Sequence, residues 1–163
     1  MTKKFGIIGN PVKHSLSPIL HNYWFEKYKI EANYSILDAN ENQLSDIVKR
    51  IKNKDLIGVN VTLPYKQKIV SNVDLLINDA EKTRSVNTLY LNEQKKVVGE
   101  NTDVFGLQAA YLKEVDISRN KNALVIGAGG VSPSVVLSLQ KSGLKDISIT
   151  NRTIEKCIFL KNK

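Results

Sequence analysis

The 163-residue sequence carries 42% hydrophobic and 25% charged side chains, a globular composition that excludes a collagenous, low-complexity or disordered chain. Its single cysteine, Cys157, excludes an internal disulfide framework, and no apolar run reaches the ~20 residues that cross a bilayer, so the expectation is a soluble, cytoplasmic chain without a membrane partner. The formal charge of +8 rests largely on lysines scattered among Asn and Ile, with arginine only at Arg50, Arg84, Arg119 and Arg152; it reads as a solvated basic surface, not a nucleic-acid footprint.

In chain order, Phe5–Ile8 predicts a buried strand closed by Gly9-Asn10-Pro11. Ser17-Pro18 reads as an N-cap followed by proline at the first helical position. The stripe Ile19, Leu20, Tyr23, Trp24 and Tyr28 then predicts a helix running to about Lys29. A strand is expected at Tyr34–Leu37. Leu44, Ile47, Val48 and Ile51 have the spacing of an amphipathic helix. Ile57–Val61 predicts a third strand, ended by Pro64, and short helical stretches follow at Lys66–Val70 and Asn78–Arg84. Thr88–Leu91 and Val97–Gly99 read as a strand pair joined by polar residues, and Asp103 to about Leu112 as a helix. Leu124–Ile126 is an apolar strand, Val131–Leu139 a helix ended by Gly143, and Ile147–Thr150 the last strand. This alternation predicts an α/β fold with mostly parallel strands.

Leu124–Ile126 runs into Gly127-Ala128-Gly129-Gly130-Val131-Ser132, a Gly-x-Gly-x-x-small turn between a strand and a helix. Gly127 permits the tight turn, Gly129 a close backbone approach to a pyrophosphate, and Ser132 stands where the helix must pack closely. Pro133 falls in the first helical turn and removes one donor near that phosphate. About 20 residues beyond the first glycine, an NAD site carries an acidic residue; this chain has Asn151-Arg152-Thr153. Arg152 can pair with a 2′-phosphate, Asn151 and Thr153 can hydrogen-bond it, and Lys156 adds charge one helical turn on, so the expected cofactor is NADP. The competing reading of this stretch is a polar turn with Thr153 as N-cap.

Toward the N-terminus, Ser15 and Ser17 lie at a strand-to-helix junction suited to a carboxylate. Asn60, Thr62 and Lys66 lie at or beyond the carboxyl end of a strand, where open α/β sheets bind ligands. Asn87 and Asp103 add an amide and a carboxylate at other element junctions. Taken singly, each stretch also reads as an ordinary cap or turn.

Their order is more specific. Asn-Pro-x-x-His-Ser-x-Ser-Pro-x-x-His-Asn from Asn10, Asn-Val-Thr-x-Pro-x-Lys from Asn60, Val-Asn-Thr at 86–88, Asn-Thr-Asp-x-x-Gly from Asn101, Gly-Ala-Gly-Gly from Gly127 and Asn-Arg-Thr from Asn151 together resemble the shikimate dehydrogenase family over nearly the whole chain. The resemblance implies a substrate-binding α/β domain over residues 1–102 and an incomplete Rossmann-type domain over 103–163. It implies that Ser15 and Ser17 bind the substrate carboxylate, that Thr62 and Asn87 contact ring hydroxyls, and that Lys66 and Asp103 form the catalytic pair. The reaction implied is reversible NADPH-dependent reduction of 3-dehydroshikimate to shikimate, with no metal and no nucleic acid, by a monomer or homodimer; quinate is the closely similar alternative substrate. The chain departs from the family pattern at Arg84, where a glycine is usual, and at Asn78, where an acidic residue is common. Family members also continue for roughly another domain's worth of chain, so the isolated 163 residues are expected to show weak turnover or none, as a shikimate-binding fragment.

Overall fold

The computed structural model describes residues 2–114 and 122–162. Six strands form one sheet in the order β2-β1-β3-β5-β6-β4. Strand β1 (Lys3–Ile8) lies parallel to β2 (Ala32–Ile36) and β3 (Gly58–Val61), and β5 (Thr88–Leu91) runs antiparallel to β3 and to β6 (Val97–Glu100). The two-residue β4 (Leu75–Leu76), which no periodicity announces, closes the far edge parallel to β6. A second, two-stranded parallel sheet joins β7 (Asn122–Ile126) to β8 (Asp146–Thr150).

Side chains alternate across the larger sheet as the pleat requires. Ile8, Val59 and Val61 face a core completed by α2 (Leu44–Lys52), whose Leu44, Ile47, Val48 and Ile51 are all buried. That stripe was legible from spacing alone. Ile7 and Tyr34 face the other way, against Val12 and Phe25.

Helix α1 (Ser17–Lys27) forms where expected but turns a different face inward. Ile19, Leu20, Tyr23, Trp24 and Tyr28 are exposed, while Pro18, His21, Asn22 and Phe25 lie toward the sheet. Asn22 explains this choice: its amide donates to the Tyr34 carbonyl and accepts the Tyr34 N–H, both at 2.8 Å, and so ties α1 to the exposed flank of edge strand β2. Ser17 is the first helical residue and not the N-cap; Leu16 holds that position, and Ser15 Oγ accepts the Ser17 N–H at 3.2 Å. The expected helical stretch at Lys66–Val70 is a 3-10 turn over Lys68–Ser71.

Helix α3 (Asp79–Thr83) ends on Arg84 in the left-handed region, φ 48°, a conformation that glycine adopts without steric cost. Helix α4 (Asp103–Ala110) follows β6 and packs chiefly on α5 (Ser132–Lys141); α6 (Ile154–Lys161) follows β8. The chain is thus an α/β protein, a mostly parallel sheet followed by an incomplete Rossmann-type unit.

Candidate active site

Sheet topology brings the predicted residues to one edge. Thr88 pairs with Asn60 on one side and Glu100 on the other. Because β5 runs antiparallel, its start lies beside the ends of β3 and β6. Asn87 before β5 therefore meets the loop after β3, which carries Thr62 and Lys66, and the residues after β6, which include Asp103. The first loop joins them closely: a Cβ added at Gly9 would lie 2.5 Å from Thr62 Cγ2 and 2.9 Å from the Leu63 carbonyl.

Lys66 Nζ donates to Asp103 Oδ2 at 2.7 Å, with the two side chains 14% and 23% exposed. The other carboxylate oxygen, Oδ1, accepts from Asn87 Nδ2 at 2.8 Å. Asp103 opens α4, where the helix dipole favours a carboxylate, and Asn101 Oδ1 accepts both the Asp103 and Val104 N–H groups. The Val86 N–H holds the Lys66 carbonyl at 2.8 Å. An ammonium has three protons and Asp103 takes one, so Lys66 can still donate to a ligand oxygen.

Asn87 and Asn60 are engaged within the protein. Asn87 Nδ2 also donates to Thr102 Oγ1, and its Oδ1 accepts the Thr102 N–H at 3.0 Å. Asn60 bridges Tyr34, whose hydroxyl lies 2.7 Å from its Oδ1, to the Asn87 carbonyl and the Thr88 hydroxyl. Sequence spacing missed Tyr34: an aromatic in a strand reads as core, and it is buried, but its hydroxyl reaches the site. Ser15, Ser17 and Thr62 are half-buried at the same edge.

Gly127 takes φ 112°, a tight turn that only glycine makes freely. Ser132 is buried at the start of α5, and its hydroxyl accepts the Gly129 N–H at 2.8 Å and donates to the Gly127 carbonyl at 3.0 Å, closing the loop on itself. Asn151 likewise accepts the Ala128 N–H and donates to the Thr153 carbonyl. Its amide therefore supports the turn. Thr153 stands at the N-cap of α6 without a side-chain cap bond, and Val131 precedes α5; Arg152, Thr153 and Lys156 are exposed. Ala128, Gly129, Gly130 and Lys156 line a cleft of about 290 Å³ shared with Leu63, Pro64 and Lys68 from the lysine loop. The two loops nearly touch: a Cβ on Gly130 would lie 3.7 Å from Lys66 Cβ, and Ser85 Oγ donates to the Gly130 carbonyl at 2.8 Å.

Among the described residues, no helix is long and apolar enough to cross a membrane. Residues 7–89 match the shikimate dehydrogenase substrate binding domain, and residues 110–163 match the shikimate / quinate 5-dehydrogenase family. A shikimate dehydrogenase (NADP(+)) of Pelagibacter ubique is 42% identical over 161 residues, which cover 99% of this chain and 60% of that protein. The crystal structure of shikimate dehydrogenase from Aquifex aeolicus superposes with a TM-score of 0.89 at 35% identity, over 99% of this chain and 60% of that one. That of the Thermus thermophilus enzyme in complex with NADP(H) and shikimate gives 0.85 at 31% identity, over 99% and 60%. The chain thus spans about 60% of the length of these relatives, and it belongs to the shikimate dehydrogenase family.

Proposed function

We propose that this chain carries the substrate-binding part and the beginning of the cofactor-binding part of an NADP-dependent shikimate dehydrogenase, which reversibly reduces 3-dehydroshikimate to shikimate on the way to chorismate and the aromatic amino acids. The observation that carries this reading is the 2.7 Å contact of Lys66 with Asp103, whose other oxygen is held by Asn87. A division between residues 1–102 and 103–163 accords with the packing of α4 on α5. A reducing, cytoplasmic setting accords with the single free thiol, buried Cys157.

The backbone suits the cofactor. Among the described residues, nothing beyond the glycine and its two chain neighbours lies within 4 Å of a Cβ added at Gly127 or Gly129, so a pyrophosphate has access to the turn. Arg152, exposed just beyond β8, supplies a cation for a 2′-phosphate, and Lys156 a second. NADPH, when bound, supplies the hydride. Lys66 donates a proton to the ring oxygen that gains negative charge, and Asp103, 2.7 Å from Nζ, keeps the ammonium aimed. Ser15 and Ser17, beside the N-terminus of α1, hold the ring carboxylate. Thr62 meets the ring hydroxyls, and Asn87 joins it by exchanging its bond to the Thr102 hydroxyl for one to the ring.

Titration of shikimate into the purified chain, followed by calorimetry, tests the site; quinate in the same cell reports the preference. Where turnover is measured as NADP⁺-dependent oxidation of shikimate, Lys66→Ala is expected to lower it about 10²–10⁴-fold with a far smaller change in shikimate affinity. Equal loss in both, or an unchanged rate, contradicts the role. A second reading, shikimate binding without turnover by the chain as it stands, is favoured by the exposure of Leu124 and Ile126 on one face of β7, at 63% and 82%. Saturable shikimate binding without oxidation selects it.

A further inference from the structure

Tyr34 lies in β2 at 4% exposure, with the His21 ring of α1 stacked on it at 4.3 Å and 9°. A core tyrosine needs a partner for its hydroxyl, and here the partner is Asn60 Oδ1 at 2.7 Å. The surrounding bonds fix the direction of that proton. Asn60 Nδ2 faces the Asn87 carbonyl at 3.3 Å and the Thr88 hydroxyl at 3.4 Å. A carbonyl only accepts, so the amide nitrogen must face Asn87 and the amide oxygen must face Tyr34. The phenol is therefore the donor. Burial pushes its pKa up to about 12, which keeps the proton in place across the physiological range.

The hydrogen bonds continue beyond Asn60. Thr88 Oγ1 donates to Asn87 Oδ1 at 2.9 Å, Asn87 Nδ2 donates to Asp103 Oδ1 at 2.8 Å, and Lys66 donates to Asp103 Oδ2 at 2.7 Å. Ser17 interacts with the same phenol oxygen, which has committed its proton to Asn60 and can only accept. Tyr34 thus stands between the serine end of the site and the lysine end.

We propose that Tyr34 is a positioning residue, whose O–H fixes the orientation of the Asn60 amide and, through it, sets Asn87 and the Lys66–Asp103 pair for a hydroxylated ring carboxylate. The proposal rests on the reading of the site given above. Without that donor, Asn60 Oδ1 is left unpaired and only the longer bonds of Nδ2, at 3.3 Å to the Asn87 carbonyl and 3.4 Å to the Thr88 hydroxyl, hold the amide in place.

Tyr34→Phe keeps the ring and its stacking on His21 and removes one hydroxyl. In the ¹⁵N-labelled chain, the Asn87 side-chain amide signal, assigned with Asn87→Ala, is expected to shift in Tyr34→Phe. Shikimate affinity is expected to fall about tenfold. Asn60→Ala, which cuts the run one residue further on, is expected to reproduce the shift. Ile36→Val, which trims the same packing cluster, is expected to lower stability and leave both readouts unchanged. An unmoved Asn87 signal, or shikimate affinity within twofold of the unsubstituted chain, overturns the proposal. Failure of the unsubstituted chain to bind shikimate counts against the site reading and is seen before any substitution; the Asn87 signal then still decides whether Tyr34 positions it.

Discussion

At position 101 a buried asparagine accepts the Asp103 and Val104 N–H groups through Oδ1 and donates through Nδ2 to the Ser85 carbonyl and the Ser134 hydroxyl, both at 2.8 Å. One side chain thus caps the helix that begins with the carboxylate and ties it to the helix after the glycine turn. Asn101→Ala should cost about 1–3 kcal/mol for each buried group left unpaired, read as a lower midpoint in urea unfolding. Two further residues give the stability a pH dependence. Burial holds the His21 imidazole below its ordinary 6.5, so on acidification the unfolded chain takes up this proton first and stability falls as the pH drops below about 6.5. His21→Phe, which keeps a ring against Tyr34, should flatten that fall between pH 7 and 5. Tyr34, pushed up to about 12, acts at the other end of the scale. There the unfolded phenol ionises first, and stability declines as the pH rises through 10 toward 12; in Tyr34→Phe this component should be missing from the alkaline limb.

Elements differ in how much of them the sequence discloses. The spacing of Leu44, Ile47, Val48 and Ile51 names both the α2 helix and its buried face, because one broad core lies beneath it. Ile51, fully buried, should lose about 2–5 kcal/mol on truncation to alanine, seen in the unfolding midpoint. The α1 stripe names a helix but the wrong face. Its orientation is set by the Asn22 bonds to Tyr34 and by the ring stack of His21, polar and aromatic details that a hydrophobic pattern does not weigh. The Lys66–Asp103 proximity was readable only through motif order, since 37 residues separate the two and an antiparallel strand brings their loops together. Tyr34 and Asn101 escaped the spacing argument because each looks like an ordinary strand or turn residue until its partners are seen. The contact between loops is tightest at Gly9, where a methyl group would strike Thr62 and the Leu63 backbone. Gly9→Ala should therefore lower stability by about 1–3 kcal/mol and weaken shikimate binding as Thr62 moves.

At the scale of the whole molecule, a polar knot joins the two sheets. Thr83, Ser85, Asn101, Ser134 and Ser138 are all buried there, and their hydrogen bonds run from the α3 end and the Asn101 turn to α5 and the Gly130 carbonyl. Such a network has directional requirements that an apolar contact lacks, so it fixes where the glycine turn stands relative to Lys66. Lys141 adds an ion pair to Asp79 at the rim, at 2.6 Å. Shikimate titrated into the ¹⁵N-labelled chain tests most directly whether the carboxyl edge of the larger sheet is a single ligand site. The expected result is saturable amide shifts at Ser15, Ser17, Thr62, Lys66, Asn87 and Asp103, with Lys4 and Lys54 at the opposite edge unmoved. Saturation with shifts confined to that opposite edge, or no saturable shift at any of the six, would contradict it.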